Sequence, residues 1–271
     1  MRDPARAEDL AQGGHELRQG DLLDEESLHG VADGIETAYY LVHSMGRGSG
    51  GDFEDRDRRA ARNFARLTME ASVERTVYLG GLGDPSTSEH LRSRHETARV
   101  LEREGPALTY FRAAMVVGAA SESFRTLRYL VARLPVMVAP SWLRTPTQPI
   151  GIDDVVAYLA QAPAVPNAAG REIQIGGPDV LDYGEMLRAM AEVMGKRPRP
   201  MVPVPLLSPR LSSLWLGLIT PVDTGVARPL VEGLRTPTVV TDAGGVQHFD
   251  VSPTPFRETL RRALAEEDAG E

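Results

Sequence analysis

The chain contains no cysteine. That removes disulfides, thiolate metal sites and a cysteine nucleophile from consideration, and it suits a reducing compartment, so the expected location is the cytoplasm. A long apolar run is lacking too. The most apolar region, 206–222, is interrupted by Ser208, Pro209, Arg210 and Ser212, well short of the ~20 residues of a membrane-spanning helix, so no integral membrane segment is expected. Basic charge is in deficit: 30 lysines and arginines stand against 38 acidic residues, a formal net charge of -8. A surface that neutralises nucleic-acid phosphates is not expected from that balance. His15, His29, His95 and His248 show no ligand spacing with one another or with nearby carboxylates, so no metal site is assigned.

What is present is the composition of a globular protein, 42% hydrophobic and 25% charged over 271 residues, enough for one large domain and a smaller lobe. The organising stretch is 35–84. Residues 37–42 form a short apolar run, 55–72 carry Ala60, Phe64, Leu67 and Ala71 at helical spacing, and 76–79 form a second apolar run. Short buried-type strands joined through a helix predict a parallel βαβ unit covered on both faces, with ligands at the strand ends. His43-Ser44-Met45-Gly46 follows the first strand and Gly80-Gly81-Leu82-Gly83 the second. Backbone is therefore expected to approach a bound molecule closely at both points.

The pattern extends in both directions. Ahead of the unit, 15–18 predicts a strand and 25–32 a short helix capped by Asp24. After it, 88–104 predicts a helix ended by Gly105-Pro106, 108–117 a buried strand running into Gly118, and 172–175 another strand. Helices are expected over 121–134, 153–162 and 183–194. Pro163 and Pro166 mark a boundary, dividing the chain into a nucleotide-binding domain, 1–165, and a C-terminal substrate or lid lobe, 166–271.

The order of these motifs is similar to that of a known family. Gly20-Asp21-Leu22-Leu23-Asp24, Tyr39-Tyr40-Leu41-Val42-His43-Ser44-Met45, Asn63-Phe64, the run from Val73 to Gly83, Arg112 with Gly118, and Ile152-Asp153-Asp154-Val155 resemble the atypical and extended short-chain dehydrogenases. Within them the chain looks closest to the NmrA-like NAD(P)H-binding branch related to the 39 kDa-type subunit of respiratory complex I. The resemblance implies an α/β, Rossmann-like fold with a doubly wound, mostly parallel sheet and a small C-terminal lobe. It implies a bound NADP or NAD and an unknown small molecule as partners, with a homo-oligomer possible.

The resemblance also implies site residues. The cofactor would lie in a cleft facing the strand ends at Val42, His43, Gly81 and Ala113, with Asp21 and Leu22 against the adenine; a helix-entry turn competes evenly for that pair. Arg2 would pair with a 2′-phosphate, which inclines the choice to NADP, although a solvated arginine explains it as well. The family's dehydrogenases use a Ser and a Tyr–Lys pair, and here His90 and Arg94 stand in the Tyr and Lys places while Gly80-Gly81-Leu82 lacks the serine. Arginine is no general base, so Arg94 reads as a cofactor contact and the catalytic residues stay unassigned. The family opens with a strand and a glycine fingerprint, and no such segment stands ahead of Arg2. The expectation is that the first strand, its helix and the second strand are missing, that 1–271 alone binds NAD(P)H poorly, and that the polypeptide begins further upstream. The functional expectation is an NAD(P)H-binding, dehydrogenase-like oxidoreductase without the usual Tyr–Lys pair; a non-catalytic redox-sensing or assembly protein is the alternative.

Overall fold

The computed structural model describes residues 12–42, 52–134, 137–139, 141–203 and 236–270. In chain order its elements are β1 (Thr37–Tyr40), α1 (Asp52–Glu70), β2 (Arg75–Gly81), α2 (Glu89–Glu104), β3 (Ala107–Ala113), β4 (Val116–Val117), α3 (Glu122–Arg133) and β5 (Met137–Ala139). There follow β6 (Pro146–Thr147), β7 (Ile150–Gly151), α4 (Ile152–Gln161), β8 (Arg171–Ile175), β9 (Leu181–Asp182), α5 (Tyr183–Val193), β10 (Met201–Pro203) and α6 (Phe256–Gly270). The main sheet has the order β1-β2-β3-β8, every pair parallel. Helices cover both faces, so the fold is Rossmann-like, as the βαβ pattern predicts.

Strand alternation sorts the side chains. Tyr40, Tyr78 and Tyr110 fall in register across β1, β2 and β3 and point to the α1–α2 face, where they pack with Phe64, Ala65 and Leu101. The Tyr78 and Tyr110 rings stack at 5.2 Å, and Tyr40 meets Tyr78 edge-on at 5.7 Å. Burial raises the phenol pKa of all three. On the opposite face Val77, Phe111, Ile173 and Ile175 pack with Val155 and Tyr158 of α4 and with Phe249. A third core joins α3, α5 and α6 through Phe124, Leu127, Met186, Met190 and Leu260.

Capping explains where the helices begin. Ser121 Oγ accepts from the Phe124 amide at 3.2 Å at the start of α3. Asp182 and Glu185 form a reciprocal capping box at the start of α5, each side chain accepting from the other's backbone amide.

Three expectations are corrected. Residues 15–18 form no strand, because an extended segment becomes one only beside a partner and no described strand lies on the outer side of β1. The helix expected over 25–32 shrinks to a 3-10 turn at Glu26–Leu28, since Gly30 at φ +71° breaks it. β8 lies beyond the expected boundary at residue 165 yet completes the main sheet beside β3. No described helix is long and apolar enough to cross a membrane.

Candidate functional site

Parallel strands deliver their carboxyl ends to one edge, and here that edge runs across β1, β2 and β3. Gly81 and Ala113 are register partners at the ends of β2 and β3, and the Leu82 amide donates to the Ala113 carbonyl at 2.7 Å, closing the turn. Val42, just past the end of β1, is 51% exposed and Leu41 beside it 55%. The fold therefore brings Val42, Gly81 and Ala113 to one sheet edge. Arg2 and His43 lie outside the described residues.

Asp21 and Leu22 stand beside α1. The Leu22 carbonyl accepts from Asn63 Nδ2 at 2.7 Å, and Leu22 packs against the cluster that holds Tyr40. Asp21 Oδ1 accepts from the Leu23 amide at 3.0 Å, and the Asp21 amide donates to Ser27 Oγ at 2.9 Å. These are the bonds of a turn. The neighbouring surface is an open groove of about 660 Å³ lined by Leu23, Asp24, Glu25, Glu26, His29 and Arg59, whose three carboxylates oppose a phosphate.

Arg94 lies one turn along α2 from His90 and faces inward. Its Nη1 donates to the Leu79 carbonyl at 3.1 Å, and its own carbonyl accepts from the Tyr78 hydroxyl at 3.2 Å. The guanidinium thus braces α2 against β2.

The glycines that end β2 and follow it do a different job from the expected one. A Cβ on Gly80 would lie 2.7 Å from Tyr110 Cε2 and 2.8 Å from its hydroxyl oxygen, and one on Gly81 would lie 2.6 Å from Leu91 Cδ2. Gly83, at φ +126°, is hemmed by Leu91 and Thr238. The room left by these missing side chains is filled by the protein itself, which corrects the reading that it lets a ligand approach.

Arg112 is the organising side chain that sequence patterns left without a role. Only 13% exposed, it donates through Nε to the Gly81 carbonyl at 3.1 Å, through Nη2 to the Gly83 carbonyl, and through Nη1 to Glu172 Oε1 at 2.7 Å. One planar fork thus fixes the loop after β2 to both β3 and β8. An arginine one residue before the end of a buried strand was the available signal, because a charge there needs partners at the sheet edge.

No protein-family model matches the chain. The mitochondrial NADH dehydrogenase (ubiquinone) 1 alpha subcomplex subunit 9 of Rattus norvegicus is 25% identical over 255 residues, covering 89% of this chain, and the Mus musculus protein is 24% identical over the same span. The chain spans 66% of the length of these curated relatives. Among solved structures, a triphenylmethane reductase from Citrobacter sp. superposes with a TM-score of 0.76 at 17% identity, over 97% of this chain and 88% of that one. The NADPH-dependent quinone oxidoreductase QOR2 of Escherichia coli, complexed with NADPH, gives 0.73 at 18% identity with the same coverage. The Bordetella bronchiseptica enzyme WbmG, in complex with NAD and UDP, gives 0.67 at 13% over 93% of this chain and 79% of that one. At these identities the likeness is one of fold.

Proposed function

We propose that the chain is an NAD(P)H-binding, short-chain-dehydrogenase-like oxidoreductase whose cofactor lies along the carboxyl edge of β1, β2 and β3, with NADP favoured over NAD. The observation that carries this reading is the convergence of Val42, Gly81 and Ala113 on one edge of a parallel sheet, in a fold shared over nearly its whole length with NADPH-dependent reductases. Two of those neighbours are complexed with NADP(H) or NADPH and a third with NAD, which supports a dinucleotide at this edge; the preference for NADP rests on Arg2. The cysteine-free composition suits a cytoplasmic location.

The described residues fit part of a dinucleotide. Leu41 and Val42 offer an exposed apolar surface to a flat ring, and the Arg112 fork keeps the loop after β2 rigid beside it. The pyrophosphate is not matched, since the glycines at Gly80 to Gly83 are packed by Tyr110, Leu91 and Thr238. When bound, the nicotinamide would supply hydride; the roles we give this chain are to seat the ring and hold the loop.

A second reading is favoured by Arg94. Its guanidinium braces α2 against β2 through the Leu79 carbonyl, and an arginine does not serve as a general base or reproduce a lysine's geometry. The nucleotide would then be structural or a redox signal. Titration of NADPH by fluorescence, followed by NADPH oxidation with quinone and dye acceptors, tests both. Binding at least ~10-fold tighter for NADPH than NADH, with acceptor-dependent oxidation, is the expected result. Tight binding without turnover selects the second reading, and no binding of either nucleotide overturns both.

A further inference from the structure

The amino end of the sheet carries a pocket of its own, a cavity of about 60 Å³ between one flank of α2 and the start of β8. Arg171, in its far wall, is the first residue of β8 and pairs with Thr109, whereas the carboxyl edge is reached at Ile175, which pairs with Ala113. Four residues of strand, about 13 Å, separate the two places. The cavity is therefore no part of the site proposed above.

Its lining is unequal in charge. Leu108 and Tyr110 of β3, with Ala98 of α2, are buried and give it an apolar floor. Arg99 from α2 and Arg171 from β8 stand exposed in the lining, and among the described residues neither side chain forms a hydrogen bond or an ion pair. Two carboxylates share the lining with them, Glu102 and Glu172. Glu172 is already taken, since Arg112 Nη1 donates to it at 2.7 Å. Glu102 is then the one carboxylate left against two guanidiniums, so the pocket favours an anion. His95 adds a further polar group: its Nδ1 is buried with no hydrogen-bond partner among the described residues, a state that buried polar atoms seldom keep.

A water position takes roughly 10–15 Å³ of such a cavity, so there is room for about four or five atoms of that size. A carboxylate with a short apolar tail answers each feature. Guanidinium forks match carboxylate oxygens, an oxygen in the pocket would give the imidazole nitrogen an acceptor in its protonated tautomer, and the tail would cover the apolar floor. Phosphate would set polar oxygens against that floor and a second negative charge beside Glu102.

We propose that this pocket binds a small aliphatic carboxylate of about the size of propionate, held by Arg99 and Arg171 with its tail on Leu108 and Tyr110.

The test is an NMR titration at constant ionic strength that follows the His95 ring protons and the Ala98 methyl group, with propionate, acetate, phosphate and chloride as probes. Propionate should shift both signals and saturate with a Kd of about 1–10 mM, and acetate should bind about 3-fold or more weakly. Phosphate and chloride should give no saturating shift. Arg99→Gln and Arg171→Gln should each weaken propionate by ~10-fold or more, while Arg103→Gln, on the same helix but outside the lining, should leave its affinity unchanged. Melting midpoints of the variants separate lost binding from lost fold. Failure of propionate to saturate, an equal response to chloride, or arginine variants that bind propionate as the wild type does overturns the proposal. Phosphate binding tighter than propionate assigns the two arginines to another anion and overturns it too. None of these readouts uses nucleotide: failure to bind NADPH would overturn the proposed function and leave this inference standing.

Discussion

Arg112 Nη1 donates to Glu172 Oε1 at 2.7 Å, joining β3 to β8, while the same guanidinium holds the carbonyls of Gly81 and Gly83. Hydrogen bonds to a charged group are worth about 1.5–3 kcal/mol each, and this fork is mostly buried, so Arg112→Ala should cost about 2–4 kcal/mol and loosen the loop after β2. Arg112→Lys cannot reproduce the fork and should recover less than half of the loss. Urea unfolding of the three proteins checks the order. Equal stability of wild type and Arg112→Ala would show that the loop is held by something else.

Gly80 and Gly81 are adjacent and both crowded, but their neighbours differ in freedom. Tyr110 is pinned by stacking on Tyr78, whereas Leu91 meets Gly81 with the end of a flexible side chain. Gly80→Ala should therefore destabilise by about 2–3 kcal/mol and Gly81→Ala by about 1 kcal/mol, overpacking being costliest where nothing can move. Thermal unfolding of the two variants gives the comparison. The reverse order would mean that the tyrosine stack yields more easily than Leu91.

The parallel sheet was legible because 37–42, 76–79 and 108–117 are largely apolar runs, 172–175 alternates Ile173 and Ile175 with polar residues, and β1, β2, β3 and β8 fall within or close to them. The helices were legible from apolar residues at helical spacing, such as Ala60, Phe64 and Leu67 in α1. The strand over 15–18 was misread because local pattern cannot tell whether a partner exists. The glycines that end β2 and follow it were misread for a related reason: absence of a side chain looks the same in sequence whether Tyr110 or a ligand fills the gap. Arg112 stood out as a charge in a buried strand, but its role was not legible locally, since its three acceptors, Gly81, Gly83 and Glu172, lie about 30 and 60 residues away.

Asp154 ties the start of α4 to the segment before α6. It is 7% exposed; its Oδ2 accepts from the Thr254 amide at 2.9 Å and its Oδ1 from the Thr254 hydroxyl at 3.2 Å. Asp154→Ala strands a partly buried amide and should cost about 1–2 kcal/mol. Because the tie leads into α6, limited proteolysis should cut near 250–256 at least several-fold faster in the variant. Unchanged cutting would show that packing of Phe256 and Leu260 alone holds α6.

His95 gives the fold a pH dependence of definite sign. Its imidazole pKa lies below the usual histidine range, first because of burial and then because Arg99 and Arg112 stand nearby, with Glu172 and Glu96 pulling the other way. Its Nδ1 is buried with no hydrogen-bond partner among the described residues. The folded state therefore prefers the neutral ring, and the unfolded chain takes up the proton more readily, at about 6.5. Stability from this residue is fully present above that value and is lost as pH falls through the lower, folded pKa. His95→Gln keeps a polar side chain of similar reach and removes the titration, so wild type should lose stability relative to the variant as pH falls below about 6.5. Urea midpoints of both proteins across that window make the comparison. A difference that stays constant with pH would mean that the ring is solvated and titrates as it does in the unfolded chain, while a wild type that gains on the variant toward acid would mean that Glu96 and Glu172 outweigh burial.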